Sequence, residues 1–78
     1  MNVPVVKKDA NLVLRDIRKK KHLTLAELGH SMNLRSGQAL TNIEYGTNKL
    51  TLEKAFLAAN ALGVSVNVFL QTKVKQYE

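Results

Sequence analysis

Gln38, Thr41, Asn42 and Tyr45 fall at i, i+3, i+4 and i+7, so on a helix they form one polar stripe. Leu40 and Ile43, three apart, point the other way. A solvated surface helix ordinarily carries Glu and Lys, which pair at i, i+4. This stripe carries amides and hydroxyls, which both donate and accept hydrogen bonds. Base edges in a duplex major groove are an equally two-sided partner, and Gln or Asn can bridge adenine N6 and N7 together. A polar surface helix with no ligand is the alternative for the same residues. Other chemistry is poorly supplied. His22 and His30 have no carboxylate or cysteine at a useful spacing, and no phosphate loop or metal-ligand cluster is present. Neither an enzyme nor a cofactor or metal is expected.

The stripe lies inside Leu23 to Gly46, which reads as two short helices joined by a tight turn. Thr24 and Glu27 have capping-box spacing and start the first of them. Leu25, Leu28 and Met32 define its buried face, and Gly29 costs about 1 kcal/mol unless another backbone approaches closely there. Asn33 stands where the chain must turn, and asparagine readily accepts a left-handed conformation. Leu34 plugs the turn, Ser36 caps the second helix and Gly46 stops it.

The flanking elements follow from the same rules. Residues 1–8 are β-prone and hold the only proline, Pro4; an arm, an edge strand and a disordered leader all fit. Asp9 or Asn11 caps a first helix that buries Leu12, Val13, Ile17 and Leu14 and ends in Arg18-Lys19-Lys20-Lys21. Those cations suit a helix C-terminus and also suit nearby phosphates. Arg18, at the edge of the buried stripe, is placed to turn its guanidinium inward while the lysines stay in water. Thr51 caps a fourth helix with Leu52, Phe56, Ala59 and Leu62 or Ala55 inward, and Gly63 ends it. Beyond Gly63 a helix capped by Ser65 is preferred over a strand, although Val64, Val66 and Val68 alternate as a strand would. The preference rests on the strand's need for a partner.

Composition agrees with one small intracellular domain. The 78 residues include no cysteine, so no disulfide or thiolate metal site staples the chain. No apolar run approaches the roughly 20 residues that cross a bilayer, and no secretory signal or membrane attachment is expected. The net charge is +6, and residues 1–22 carry seven bases against two acids. A polyanion is a natural partner for that surplus.

The segments RDIRKKKHLTLAELG, LTNIEYG and TLEKAFLAANALGVSVNVFL, in this order over about Leu12 to Leu70, resemble the phage-repressor (Xre, Cro/cI-type) helix-turn-helix family. The resemblance implies an all-α, compact five-helix lambda-repressor-like domain with helices two and three as its DNA-reading unit. The division expected is an N-terminal arm over 1–8, the domain over 9–71 and a C-terminal tail over 72–78. It places base reading on Gln38, Thr41, Asn42 and Gly37. Phosphate contacts fall on Thr24 and Ser36 at helix starts and on Tyr45, Thr47, Asn48 and Lys49 after helix three. An ion pair falls on Arg18 and Glu44. Three departures stand out: the turn Leu34-Arg35-Ser36-Gly37 is one residue longer than usual, Leu25 replaces a backbone-contacting glutamine, and Gly37 has no side chain. Arg35 is placed to compensate by reaching a guanine or a phosphate.

The expected function is sequence-specific transcriptional regulation by a cytoplasmic, bacterial or phage-encoded homodimer on a palindromic operator. Leu57, Ala61, Val68, Phe69 and Leu70 are the expected dimer contact, and no separate ligand-sensing domain is expected. The rival is an antitoxin that holds a toxin protein and regulates its own gene through the same unit.

Overall fold

The computed structural model describes residues 2–74. Its elements are β1 (Asn2–Val6), α1 (Ala10–Lys20), α2 (Leu25–Ser31), α3 (Gly37–Glu44), α4 (Leu52–Leu62), a 3-10 turn (Val66–Phe69) and β2 (Leu70–Val74). The architecture is therefore four α-helices with a two-stranded antiparallel sheet, and the expected fifth helix is replaced by the short turn and a strand. Ser65 does cap that turn, accepting from the Asn67 amide at 3.2 Å. The β-branched residues that follow lose side-chain freedom in a helix and favour extended chain. The partner strand comes from the other end of the molecule. Val3 pairs with Lys73, Val5 with Gln71 and Val6 with Leu70, and the Lys7 amide extends the ladder to the Phe69 carbonyl at 2.8 Å. Pro4 fits because each strand has an open edge that needs no amide donor. The arm and the start of the tail thus belong to one element, while tail residues 75–78 lie outside the described residues.

Three helices end in the same way, with a left-handed residue and a pair of reversed backbone bonds that satisfy terminal carbonyls. At α1 the residue is His22 (φ 58°), and the Leu23 amide reaches the Arg18 carbonyl at 3.2 Å. At α2 it is Asn33 (φ 60°), with the Leu34 amide on the Gly29 carbonyl at 2.9 Å. At α4 it is Gly63 (φ 68°), with Val64 on Ala59 at 3.0 Å. The short links this produces fold α2 and α3 tightly together. A Cβ on Gly29 would lie 3.3 Å from the Ser36 carbonyl oxygen, and one on Gly37 would lie 3.3 Å from the Ala26 amide nitrogen. Both glycines serve this close approach.

The core is built from Leu14, Leu28, Met32, Leu40, Ile43 and Phe69, all fully buried, with Leu50 and small residues around them. On α4 the buried face is Ala55, Ala58, Ala59 and Leu62, so Ala55, Ala59 and Leu62 lie inward as expected and Leu52 and Phe56 do not. Leu52 and Phe56 are 45% and 53% exposed. Eight of the eleven α4 residues are apolar, so their period does not define one face. The small alanines permit close packing against α2 and the 3-10 turn, and Phe69 fills the space a larger α4 side chain would need. Leu12 is likewise exposed rather than part of the α1 stripe.

Candidate nucleic-acid interface

One face of α1 holds the end of α3. Asn11, Arg15 and Arg18 lie at i, i+4 and i+7, and each reaches the last turn of α3 or its C-cap. Arg18 grips Glu44 with two bonds, Nε to Oε2 at 2.6 Å and Nη2 to Oε1 at 3.0 Å. Its remaining nitrogen, Nη1, donates to the Leu23 carbonyl at 2.8 Å and so ties the α1–α2 link to the same point. The side chains are 11% and 4% exposed. The hydrogen bond to Glu44 raises the Arg18 pKa above its ordinary value, with charge attraction adding and partial burial opposing. Asn11 Nδ2 donates to the Glu44 carbonyl at 3.0 Å. The Arg15 guanidinium lies over the Tyr45 ring, 5.6 Å from its centroid, a cation–π contact.

Held in this way, α3 presents its polar stripe outward. Gln38 Nε2 donates to Asn42 Oδ1 at 3.1 Å, so the two amides act as one unit. The unit leaves the Gln38 carbonyl oxygen and the Asn42 amide nitrogen for an external acceptor–donor pattern. Thr41 is half-buried, and its hydroxyl donates to the Gly37 carbonyl at 2.9 Å, so its bonding is turned into the helix. Gly37 packs against the start of α2. Arg35 and Ser36 are exposed beside the α3 N-terminus, and Ser36 makes no side-chain capping bond. Tyr45 is 71% exposed at the other end of the stripe.

The phosphate-facing candidates differ among themselves. Thr24 closes its capping box, accepting from the Glu27 amide at 3.0 Å while its own amide donates to Glu27 Oε1 at 3.0 Å. These bonds, the Thr24 amide first, hold the exposed Glu27 carboxyl below the usual carboxylate range. A negative charge therefore already occupies the α2 N-terminus. Thr47, Asn48 and Lys49 are exposed in the loop after α3, which is anchored by the Asn48 amide on the Asn42 carbonyl at 3.0 Å.

A family model described as helix-turn-helix matches residues 14–69. The chain belongs to the Xre (Cro/cI-type) helix-turn-helix family. Membership in this family carries DNA binding and transcription regulation. This Xre-family chain is also similar to a solved structure, the clp gene regulator ClgR from C. glutamicum. The two are 31% identical, the match covers 78% of this chain and 79% of that one, and the TM-score is 0.72. No curated protein matches the Xre-family chain in sequence.

Among the expected dimer residues, Leu57, Ala61, Val68 and Leu70 are half-buried, but Phe69 is fully enclosed and offers a partner no surface. Sequence reasoning missed Arg15, Asn11 and the exposed pair Leu52 and Phe56. The spacing of Asn11 and Arg15 from Arg18 was the available signal for the first two. Among the described residues no group of three or more His, Asp and Glu side chains could hold a metal, and no helix is long and apolar enough to cross a membrane.

Proposed function

We propose that the chain regulates transcription by reading a specific duplex sequence through α3, as a homodimer on a palindromic operator. The observation that supports this most is the coupled Gln38–Asn42 unit, exposed on a helix whose far end is clamped by Arg18 and Asn11. Rigid placement matters because a bidentate amide–base contact discriminates only when its geometry is fixed. Arg35 and Tyr45 flank the unit as further contacts, while Thr41 and Gly37 act mainly in holding the helix. Ser36, Thr47, Asn48 and Lys49 set the register through phosphates, and Thr24 does so against the nearby Glu27 charge.

A second copy is needed because one module covers only a half-site. Leu52 and Phe56, one turn apart and half-exposed, supply an apolar ridge for it, while Leu57 and Ala61 lie on the other flank of α4, beyond Glu53 and Asn60. A cytoplasmic regulator of controller-protein or phage-repressor type fits this description. In the antitoxin alternative the same ridge holds a toxin protein, and co-purification with the product of an adjacent gene would favour that reading.

Selection of bound sites from random duplex DNA tests the proposal. The expected product is an inverted repeat with half-site centres about 34 Å apart or a multiple of that spacing. Recovery of unrelated sequences would overturn sequence-specific reading, and a lone half-site would overturn the dimer.

A further inference from the structure

Just beyond Tyr45, where the α3 stripe ends, the surface opens into a cleft of about 370 Å³. Its walls come from two places far apart in sequence. The β1–α1 corner supplies Lys7, Lys8 and Asn11, and the α3–α4 loop supplies Asn48 and Lys49. We propose that Lys7 and Lys8 of the β1–α1 corner make this cleft a phosphate-binding site that seats a phosphodiester of the DNA backbone, extending the contacts already given to Asn48 and Lys49. The proposal rests on the reading of α3 as the base-contacting helix.

Charge, placement and rigidity all support it. Three lysines line the cleft beside the apolar Val6, Ala10 and Leu50, and no carboxylate does; Asp9, next in sequence to Lys8, is exposed and outside the lining. Among the described residues none of the three lysines has an ion-pair partner, since the pairs present are Arg18–Glu44 and Lys20–Asp16. The rim is fixed by backbone bonds. The Lys7 amide donates to the Phe69 carbonyl at 2.8 Å, its carbonyl accepts from the Ala10 amide at 3.2 Å, and the Asn48 amide is held on α3 at 3.0 Å. Asn11 is oriented by its own bond to the Glu44 carbonyl. Terminal strand pairing is what brings Lys7 and Lys8 to this position, because the ladder runs through Lys7 into β2.

The location makes a duplex the favoured source of the phosphate. Asn48 and Lys49 follow the recognition helix directly, and a duplex carries one charge per about 1.7 Å of its axis, so phosphates continue beyond either end of a seated α3. The α2 N-terminus, the other common anion seat, already holds Glu27. Lysines at the cleft therefore take a larger share of backbone neutralisation.

Three measurements on the full chain test the site. First, K7Q/K8Q should make the dependence of log K on log salt shallower by about 0.9 to 1.8, weakening a selected operator and random duplex by the same factor. The control K19Q/K20Q removes the same charge from the other end of α1 and should change the slope less. An equal change in both would mean diffuse charge attraction and overturn the site. Second, single phosphates of the operator are replaced by neutral methylphosphonates. At one or two positions the replacement should weaken wild type clearly more than K7Q/K8Q, which keeps only Lys49 of the three cations. Duplex binding with no such coupled position overturns the proposal. Third, inorganic phosphate is titrated while the Asn11, Asn48 and Lys49 amides are followed by NMR. If the chain binds no duplex, the reading of α3 fails, and this arm still addresses the cleft. Saturating shifts that K7Q/K8Q abolishes would then identify a free-phosphate site and overturn the DNA form, and no shift would overturn the cleft altogether.

Discussion

Two ion pairs leave α1 from opposite faces. Arg18 meets Glu44 across 26 residues of sequence, with two short bonds and side chains almost out of water. Lys20 meets Asp16 one turn back on the same helix at 3.1 Å, with side chains 75% and 62% exposed. Each pair joins one base to one acid, yet the consequences differ. The inner pair fixes where α3 ends and how α1 enters α2. The outer pair is a solvated contact whose attraction is offset by side-chain entropy and screening. What gives a charge structural weight here is what lies behind it, because removing one partner of an enclosed pair strands the other.

Substitutions can break that contrast, and the largest effect belongs to Arg18. R18A should lower unfolding free energy in denaturant titration by about 3–5 kcal/mol, since it leaves Glu44 enclosed and unpaired. A loss under about 1 kcal/mol would put both pairs in the same class. N11A removes a partly enclosed bond to the Glu44 carbonyl and should cost about 1 kcal/mol by the same measurement. At the border of the two faces, a double-mutant cycle with R15A and Y45L should report a coupling of about 0.5–1 kcal/mol. The K20A variant should change stability by less than about 0.5 kcal/mol and lose even that in high salt.

The smallest effect is a pH dependence. The folded-state pKa of Glu27 is depressed, so its cap contributes fully above the ordinary carboxylate value near 4.3 and is lost as pH falls through the depressed value. Wild type and E27A should therefore differ in melting temperature near neutral pH and converge in acid. A difference that grows on acidification would have the wrong sign.

Local rules made the centre of the molecule legible. The Thr24–Glu27 box, the turn at Asn33, the close approach at Gly29 and the inward position of Arg18 each follow from a few neighbouring residues. Features that depend on distant partners were harder. Val64, Val66 and Val68 alternate like a strand, yet Val66–Phe69 forms the Ser65-capped 3-10 turn. The strand begins at Leu70, and its partner lies near the other terminus in an arm that also fits disorder. On α4 Leu52 and Phe56 were misplaced because apolar residues surround the helix, and the elements packed against it, α2 and the 3-10 turn foremost, decide which of them are enclosed. His22 ends α1 in a left-handed conformation for which glycine or asparagine would have been the signal. At the candidate site the stripe residues were evident from spacing. The Gln38–Asn42 bond, the inward turn of Thr41 and the contribution of Arg15 required coordinates.

The central claim is that α3 reads bases through Gln38 and Asn42, and one comparison tests it most directly. Binding of wild type and N42A is measured on the selected operator and on a scrambled duplex at the same salt. The expected loss is about 1–3 kcal/mol on the operator and close to none on the scrambled duplex. An equal loss on both would assign Asn42 to the phosphate backbone and contradict base reading by this helix.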